Sequence, residues 1–341
     1  MQDLPEHLWH KSFLFYVKED ATRKGGPNLR LLRLDPDRPS LTVTAYIFNK
    51  FVHPFEDRFI TVREAARLQD FPDNIVFQGT LTSSQLQVGN AVPVRLGKAI
   101  FTEILQHLAK NSPEGIGTEI YTSGQLPALS LFSGAGGLDL GANLSRIDEL
   151  HWKTSLAVDS DMDCCETLRY NFKGDLEVMQ ADISHLSSSQ LLDAIPLEKG
   201  VLPLIFGGPP CQSFSQAGKQ KGTADLRGSL IYEFIRCVRE LQPVYFVMEN
   251  VANLRGINKG RLLDSIVREF EDSGYEVTQG VLCAADFGTP QLRKRFFLIG
   301  VRCGYPPVSF PMPTHSNEPG VLIQKPYVGV GQAFVGLPKI V

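Results

Sequence analysis

The chain has 341 residues, 43% of them hydrophobic and 21% charged, so it can bury a full core and is not a disordered polymer. That length suits one large α/β domain plus a smaller region better than one minimal domain. A formal net charge of −3 excludes a general basic field, so any nucleic acid must be held by local clusters or through a partner. No apolar run approaches the roughly 20 residues that span a bilayer, and the start, MQDLPEHLWHKSF, lacks the layout of a signal peptide. Six cysteines without CxxC spacing make neither a disulfide framework nor a zinc site, so no membrane, no metal and a reducing cytoplasm are expected.

In chain order, residues 1–30 are mixed and polar, with a break at Gly25-Gly26-Pro27. Residues 31–58 read as extended, since LTVTAYIF is rich in β-branched and aromatic side chains. Thr61 followed by Glu64 forms a capping-box pattern and opens a helix that Pro72 stops. The apolar spacing of VPVRLGKAIFTEILQHLAK predicts an amphipathic helix over 92–110. Residues 111–127 form a linker rich in Gly, Pro, Ser and Thr.

From Ala128 the texture alternates. ALSLF, TSLAVD (154–159), VMQADI (178–183), LPLIFGG (202–208) and VYFVMENV (244–251) read as strands separated by helical patterns. EVTQGVLCAADFG and RKRFFLIGV read as a closing hairpin. Such alternation predicts an α/β, doubly wound, mostly parallel sheet. The tail, 304–341, carries Pro306, Pro307, Pro311, Pro313, Pro319, Pro326 and Pro338 and reads as too broken for a core element.

Four groups of residues carry chemistry. Phe132-Ser133-Gly134-Ala135-Gly136-Gly137-Leu138 joins a strand to a helix, where backbone N–H groups can approach a ligand. Asp159 and Asp182 end the next two strands, where a carboxylate can meet a ribose hydroxyl or an adenine amino group; a helix cap is the competing role for each. Without GxGxxG or a P-loop, a methyl donor such as S-adenosylmethionine fits this set better than NAD or ATP. Next, Gly207-Gly208-Pro209-Pro210 fixes the backbone ahead of Cys211 and aims it from a strand end, as a thiolate nucleophile needs. The other five cysteines read as buried and inert. Glu249 and Asn250 end an otherwise apolar strand, where a carboxyl tends towards a raised pKa and can donate a proton. Gln291, Arg293 and Arg295 share one strand face and present an amide and two guanidinium forks to a carbonyl or phosphate, unless they form a solvated basic edge.

Together FSGAGG, PPCQSFS, ENV and QLRKR resemble the cytosine carbon-5 DNA methyltransferases, in that family's order. QVGNAVP (87–93), HPFEDRFITVREAARLQDFPD (53–73) and RPSLTVTA (38–45) resemble further family blocks. The GNAVP helix closes most members but precedes the cofactor half here, which resembles a circular permutation joined through 111–127. The organisation expected is a partial recognition segment (1–37), a permuted segment completing the small region and the cofactor pocket (38–110), the linker, a Rossmann-like catalytic domain (128–303) and a second partial recognition segment (304–341). The split recognition region is small and proline-rich, so a second polypeptide supplying target recognition is an expected partner beside duplex DNA.

The resemblance implies that Cys211 attacks carbon-6 of a flipped-out cytosine, that Glu249 holds and protonates the ring, and that Arg295 with Arg293 beside it meets the 2-carbonyl. S-adenosylmethionine would lie along Phe132, Gly134, Gly136, Gly137 and Leu138, with Asp159 at the ribose and Asp182 and Ile183 at the adenine. Pro210 and Leu230 would line it and Asn90 would reach in. The family usually has Glu where Asp159 stands, so the shorter acid implies a water-bridged contact. Residues 212–228 are expected to form a lid, with Gln212, Ser215, Lys219, Lys221 and Asn250 at the DNA. The setting implied is a restriction–modification system in a prokaryotic cytosol. A tRNA cytosine methyltransferase, or a subunit that needs its partner to act, remain alternatives.

Overall fold

The computed structural model describes residues 31–44, 50–111, 124–195, 202–210, 230–320 and 325–338. Cys211, Gln212, Ser215, Lys219 and Lys221, with the expected lid, lie outside them.

The main sheet holds β1 (Gln125–Leu131), β2 (Leu150–Asp159), β3 (Glu177–Gln180), β4 (Leu204–Gly207), β5 (Tyr245–Val251), β6 (Tyr275–Cys283) and β7 (Lys294–Arg302). Their spatial order is β3-β2-β1-β4-β5-β7-β6, and a two-residue strand, Arg146–Ile147, flanks the start of β2. β1 to β5 run parallel, whereas β7 is antiparallel to both β5 and β6. This is the α/β, Rossmann-like sheet with a closing hairpin that the alternation predicts. The reversal of order at β1 and β4 is the place where such sheets open a crevice at their carboxyl ends.

The helices are α1 (Val62–Leu68), α2 (Leu81–Asn90), α3 (Val94–Asn111), α4 (Gly137–Asn143), α5 (Met162–Asn171), α6 (Ser188–Ala194), α7 (Leu230–Leu241), α8 (Arg261–Asp272) and α9 (Val330–Phe334). α6, α7 and α8 cover one face, where Phe234, Phe246 and Phe270 pack together. The other face is covered by α3, whose Leu96, Ile100, Phe101, Ile104, Leu105 and Leu108 recur at helical spacing and are all buried. Phe101 meets Phe206 of β4 edge-on at 4.9 Å, and its carbonyl accepts from Trp152 Nε1 of β2 at 3.0 Å. His107 reaches Tyr245 of β5 through Nδ1 and the Pro306 carbonyl through Nε2. α3 and α4 cross where two glycines meet: a Cβ on Gly141 would stand 2.8 Å from the Lys98 nitrogen. A helix far upstream in the chain is therefore a full layer of the main domain.

Around it, α1, α2 and α9 form a smaller core of Leu34, Phe51, Ile60, Leu68, Phe71, Val88 and Phe334. Thr61 and Glu64 do form a reciprocal capping box. α1 stops at Leu68, ahead of Pro72, because Asp70 turns left-handed at φ 62°. Three expectations are corrected. β1 begins at Gln125, inside the stretch read as linker, because Gln125–Leu131 pairs with β2. The third parallel strand ends at Gln180, and Asp182 caps a short turn instead. The tail supplies core after all: α9 buries Val330 and Phe334, the latter stacked on His53 at 5.4 Å, because helix needs only a few residues free of proline. No helix among the described residues is long and apolar enough to cross a membrane.

Phe101→Ala would empty a wholly buried site between α3 and β4 and should cost about 3–5 kcal/mol. Urea unfolding measures this, and a loss under about 1 kcal/mol would mean that α3 is not a working layer of the sheet.

Candidate active site

A cavity of about 800 Å³ opens at the carboxyl ends of β1, β2, β4 and β5, a volume suited to a nucleoside-sized ligand. The turn after β1 lines it. Phe132 adopts a left-handed backbone at φ 55°, and nothing lies within 4 Å of where a Cβ on Gly134 would stand, so the turn forms an open cradle. Gly136 starts α4, whose first turn places Gly137 and Leu138 on the wall. Asp159 at the end of β2 accepts from the Gly134 N–H at 2.8 Å and from the Asp161 N–H at 2.9 Å. Burial pushes its carboxyl upward while those N–H groups pull it down, and the charge of Asp161 pushes it up again.

Asp182 and Ile183 follow β3 and line the same cavity. Asp182 accepts from Ser184 N–H and Oγ, which holds its carboxyl below the usual range. Capping and lining are compatible roles, because only one carboxyl oxygen makes the cap. Pro210 and Leu230 complete that rim. Asn90 enters from α2, and Ser83, Leu86 and Gln87 lie beside it on the same helical face. Those three were missed, although their i, i+3, i+4, i+7 spacing with Asn90 is legible in LTSSQLQVGN.

At the end of β5, Glu249 is 9% exposed and its Oε1 receives Arg295 Nε at 2.8 Å. Register places the pair: Arg295 stands opposite Val251 and Phe297 opposite Glu249 on antiparallel strands. Burial pushes the Glu249 carboxyl above its ordinary value, and Arg295 and then Arg293 oppose that shift. Gly208 keeps the approach clear, since a Cβ there would stand 2.8 Å from Glu249 Oε2.

Two expectations change. Arg293 does not face the cavity. It is wholly buried, and donates to the carbonyls of Val43 at 2.7 Å and Gly89 at 2.9 Å. Gln291 is likewise buried, with Nε2 donating to the Leu68 carbonyl and to Gln69, and Oε1 accepting from the Val43 N–H. Gln291, Arg293 and Arg295 do not lie on one strand: Gln291 belongs to a two-residue strand, Gln291–Leu292, paired with Ser40–Leu41, Arg293 falls between it and β7, and the side chains of both find the backbone of the 38–111 segment instead of a ligand. Asn250 lines the cavity but is only 3% exposed, and it donates to the Pro209 carbonyl at 3.0 Å, so its amide also holds the turn leading to Cys211.

An open sheet with a nucleoside-sized crevice at its strand ends, floored by an ion-paired carboxyl, defines a Rossmann-like α/β protein with a ligand site at its switch point. A family model described as C-5 cytosine-specific DNA methylase matches residues 14–106 and 126–325. The chain belongs to that family, and its class of enzyme is a DNA (cytosine-5-)-methyltransferase. Among relatives, it is 41% identical over 225 residues to Type II methyltransferase M.AquIA of Picosynechococcus sp., covering 62% of this chain and 88% of that protein. It is 42% identical over 217 residues to Type II methyltransferase M1.HphI of Haemophilus parahaemolyticus, covering 63% of this chain and 54% of that one. It is 35% identical over 232 residues to Type II methyltransferase M.SacI of Streptomyces achromogenes, covering 63% and 59%. The chain thus spans little more than half the length of the latter two.

A second acid underlies the glycine turn. Asp139 in the first turn of α4 is wholly buried, and neither carboxyl oxygen completes a hydrogen bond. Burial pushes its carboxyl up to about 7, against the nearby hydroxyls of Ser130 and Thr154. Between the ordinary value of 3.8 and about 7, the folded state keeps a proton that the unfolded chain has lost. Stability should therefore fall as pH rises through that window, by up to about 1.4 kcal/mol per pH unit, and level off above it. Asp70, also pushed to about 7 by burial, adds its own share. Asp139→Asn should remove one share, flattening a series of denaturant melts from pH 4 to 8. An unaltered pH slope would mean that Asp139 is ionised in the fold.

Proposed function

We propose that this chain transfers a methyl group to carbon-5 of a cytosine swung out of duplex DNA, through a covalent adduct on Cys211, within a restriction–modification system. The observation that carries this reading is the Glu249–Arg295 pair, set in the same cavity as Gly134, Asp159 and Pro210. Pro210 lines that cavity, so the next position in the chain, Cys211, is tethered within a residue of it.

S-adenosylmethionine fits the cradle of Phe132, Gly134, Asp159, Asp182 and Ile183, and when bound supplies an electrophilic methyl group. The chain's own residues do the rest. The Cys211 thiolate forms a bond to carbon-6, and the displaced ring electrons leave carbon-5 nucleophilic. Glu249, whose carboxyl burial pushes above its ordinary value, delivers a proton to the ring nitrogen, so no full negative charge builds up. Arg295 balances the carboxylate left behind and stands beside the 2-carbonyl. Once carbon-5 is methylated, the ring nitrogen returns its proton to Glu249, a water molecule takes the carbon-5 proton, and the electrons of that carbon–hydrogen bond restore the 5,6 double bond as the carbon–sulfur bond breaks and Cys211 leaves as thiolate.

We further propose that the order of segments is a circular permutation: α2 and α3 supply a wall of the cavity and a layer of the sheet, although they precede β1 in the chain. Target recognition falls to residues 1–37 and 304–341, helped by a second polypeptide. Beyond Arg302, the described tail buries few side chains, chiefly Val308, Pro311, Val330 and Phe334, which favours outside help for DNA reading.

Duplex DNA carrying 5-fluorocytosine at its target, incubated with S-adenosylmethionine, should trap a cross-link at Cys211, because the carbon–fluorine bond blocks elimination. Cys211→Ala should abolish both cross-link and methyl transfer, and Glu249→Gln should slow turnover by at least about 100-fold while cofactor binding persists. Methylation by Cys211→Ala would overturn the mechanism. Running the assays with and without proteins from neighbouring genes decides the partner, and tRNA in place of DNA decides the substrate.

A further inference from the structure

The segment leaving β5 is unlike the rest of this mildly acidic chain. From Val251 to Leu263 it reads VANLRGINKGRLL, with Arg255, Lys259 and Arg261 and not one carboxylate; the first acid after it, Asp264, lies within α8. All three cations are exposed, and none forms an ion pair or side-chain hydrogen bond among the described residues. Lys294 joins them, also exposed and unpaired, because β7 begins beside the end of β5, with Arg295 opposite Val251. Some exposed arginines elsewhere do find acids, as Arg38 finds Asp35, Arg95 finds Asp70 and Arg169 finds Glu166.

Their placement is more telling than their number. Val251, Asn253 and Ile257, which flank Arg255 along this segment, line the cavity that holds Glu249 and Arg295. Leu254 is wholly buried in the core between the helices, which pins the segment in place. Asn258 and Lys259 both turn left-handed, at φ 50° and 57°, so the backbone reverses sharply at the cavity rim before α8 begins. The cations are therefore carried on an anchored base at the mouth of the cavity, where ordering costs little on binding.

We propose that Arg255, Lys259, Arg261 and Lys294 form a sequence-independent clamp on the phosphates of the DNA strand that carries the target cytosine. The proposal rests on the methyltransferase reading and adds the surface that holds the strand while its base enters the cavity. Phosphate contacts set position and affinity without reading sequence, and each one formed releases a counterion.

The test is duplex binding by the full chain with S-adenosylhomocysteine, measured across a potassium chloride series. The singles Arg255→Gln, Lys259→Asn, Arg261→Gln and Lys294→Gln are compared with their combination; asparagine suits the left-handed position at 259. Each lost contact should lower the slope of log affinity against log salt by about 0.9, and the combination by about the sum. Affinity for S-adenosylhomocysteine should be unchanged. Wild-type slope in the combined variant, no duplex binding by the wild-type chain at any salt, or tighter binding to a structured RNA than to duplex at equal salt would each overturn the clamp. If the clamp binds but no 5-fluorocytosine adduct forms on the assembled protein, the methyl-transfer reading fails and the clamp stands.

Discussion

Two guanidinium groups two residues apart, Arg293 just ahead of β7 and Arg295 within it, carry much of this architecture. Arg293 is sealed in the interior and bonds to the carbonyls of Val43 and Gly89, which ties the upstream segment onto the sheet. Arg295 points instead to Glu249 and prepares the carboxyl at the cavity floor. Each guanidinium meets a different partner: backbone carbonyls accept from the terminal nitrogens of Arg293, whose Nε has no partner among the described residues, and a carboxylate meets Arg295. Strand alternation alone would send both side chains the same way; the neighbours decide what each does.

The rest of the active site depends on that attachment. α2 contributes Asn90 and its helical companions to the cavity, and α3 lays an apolar layer over β1, β4 and β5. Without the ties made by Gln291, Arg293, His107 and the Asp70–Thr289 contact, that wall would have no fixed place relative to the glycine turn. The cavity is thus a product of two chain segments brought together by burial and not of a single βαβ unit. Such an assembly is indifferent to which segment comes first, so the proposed permutation carries no packing cost.

Chemistry and order are arranged along one edge of the sheet. The proposed cofactor cradle lies at β1, β2 and β3, the turn leading to Cys211 follows β4, and Glu249, the proposed proton donor, ends β5. Asn250 links the last two, since its amide restrains the Pro209 carbonyl two residues before the cysteine. Cations beyond β5 then extend the same edge towards a charged polymer. Parallel strands concentrate their carboxyl ends on one side, so groups distant in the chain converge there without special contrivance.

Periodicity and short motifs were enough to establish the sheet, its closing hairpin, the α3 helix, the Thr61–Glu64 cap and the approximate place of the cofactor turn, because all of these are written in local spacing. Glu249 and Arg295 were also legible, as polar residues at the ends of apolar strands. What local spacing could not tell was whose partner each polar group becomes. Arg293 and Gln291 read as ligand-facing, yet tertiary packing brought carbonyls of remote segments within reach and spent them on structure. The proline-bearing tail likewise gained a core helix only because His53 and Ile60 stood ready to receive it. Hydrogen-bond demand is a property of a residue and can be read from its type; its satisfaction is a property of the fold, which alone sets what lies 3 Å away.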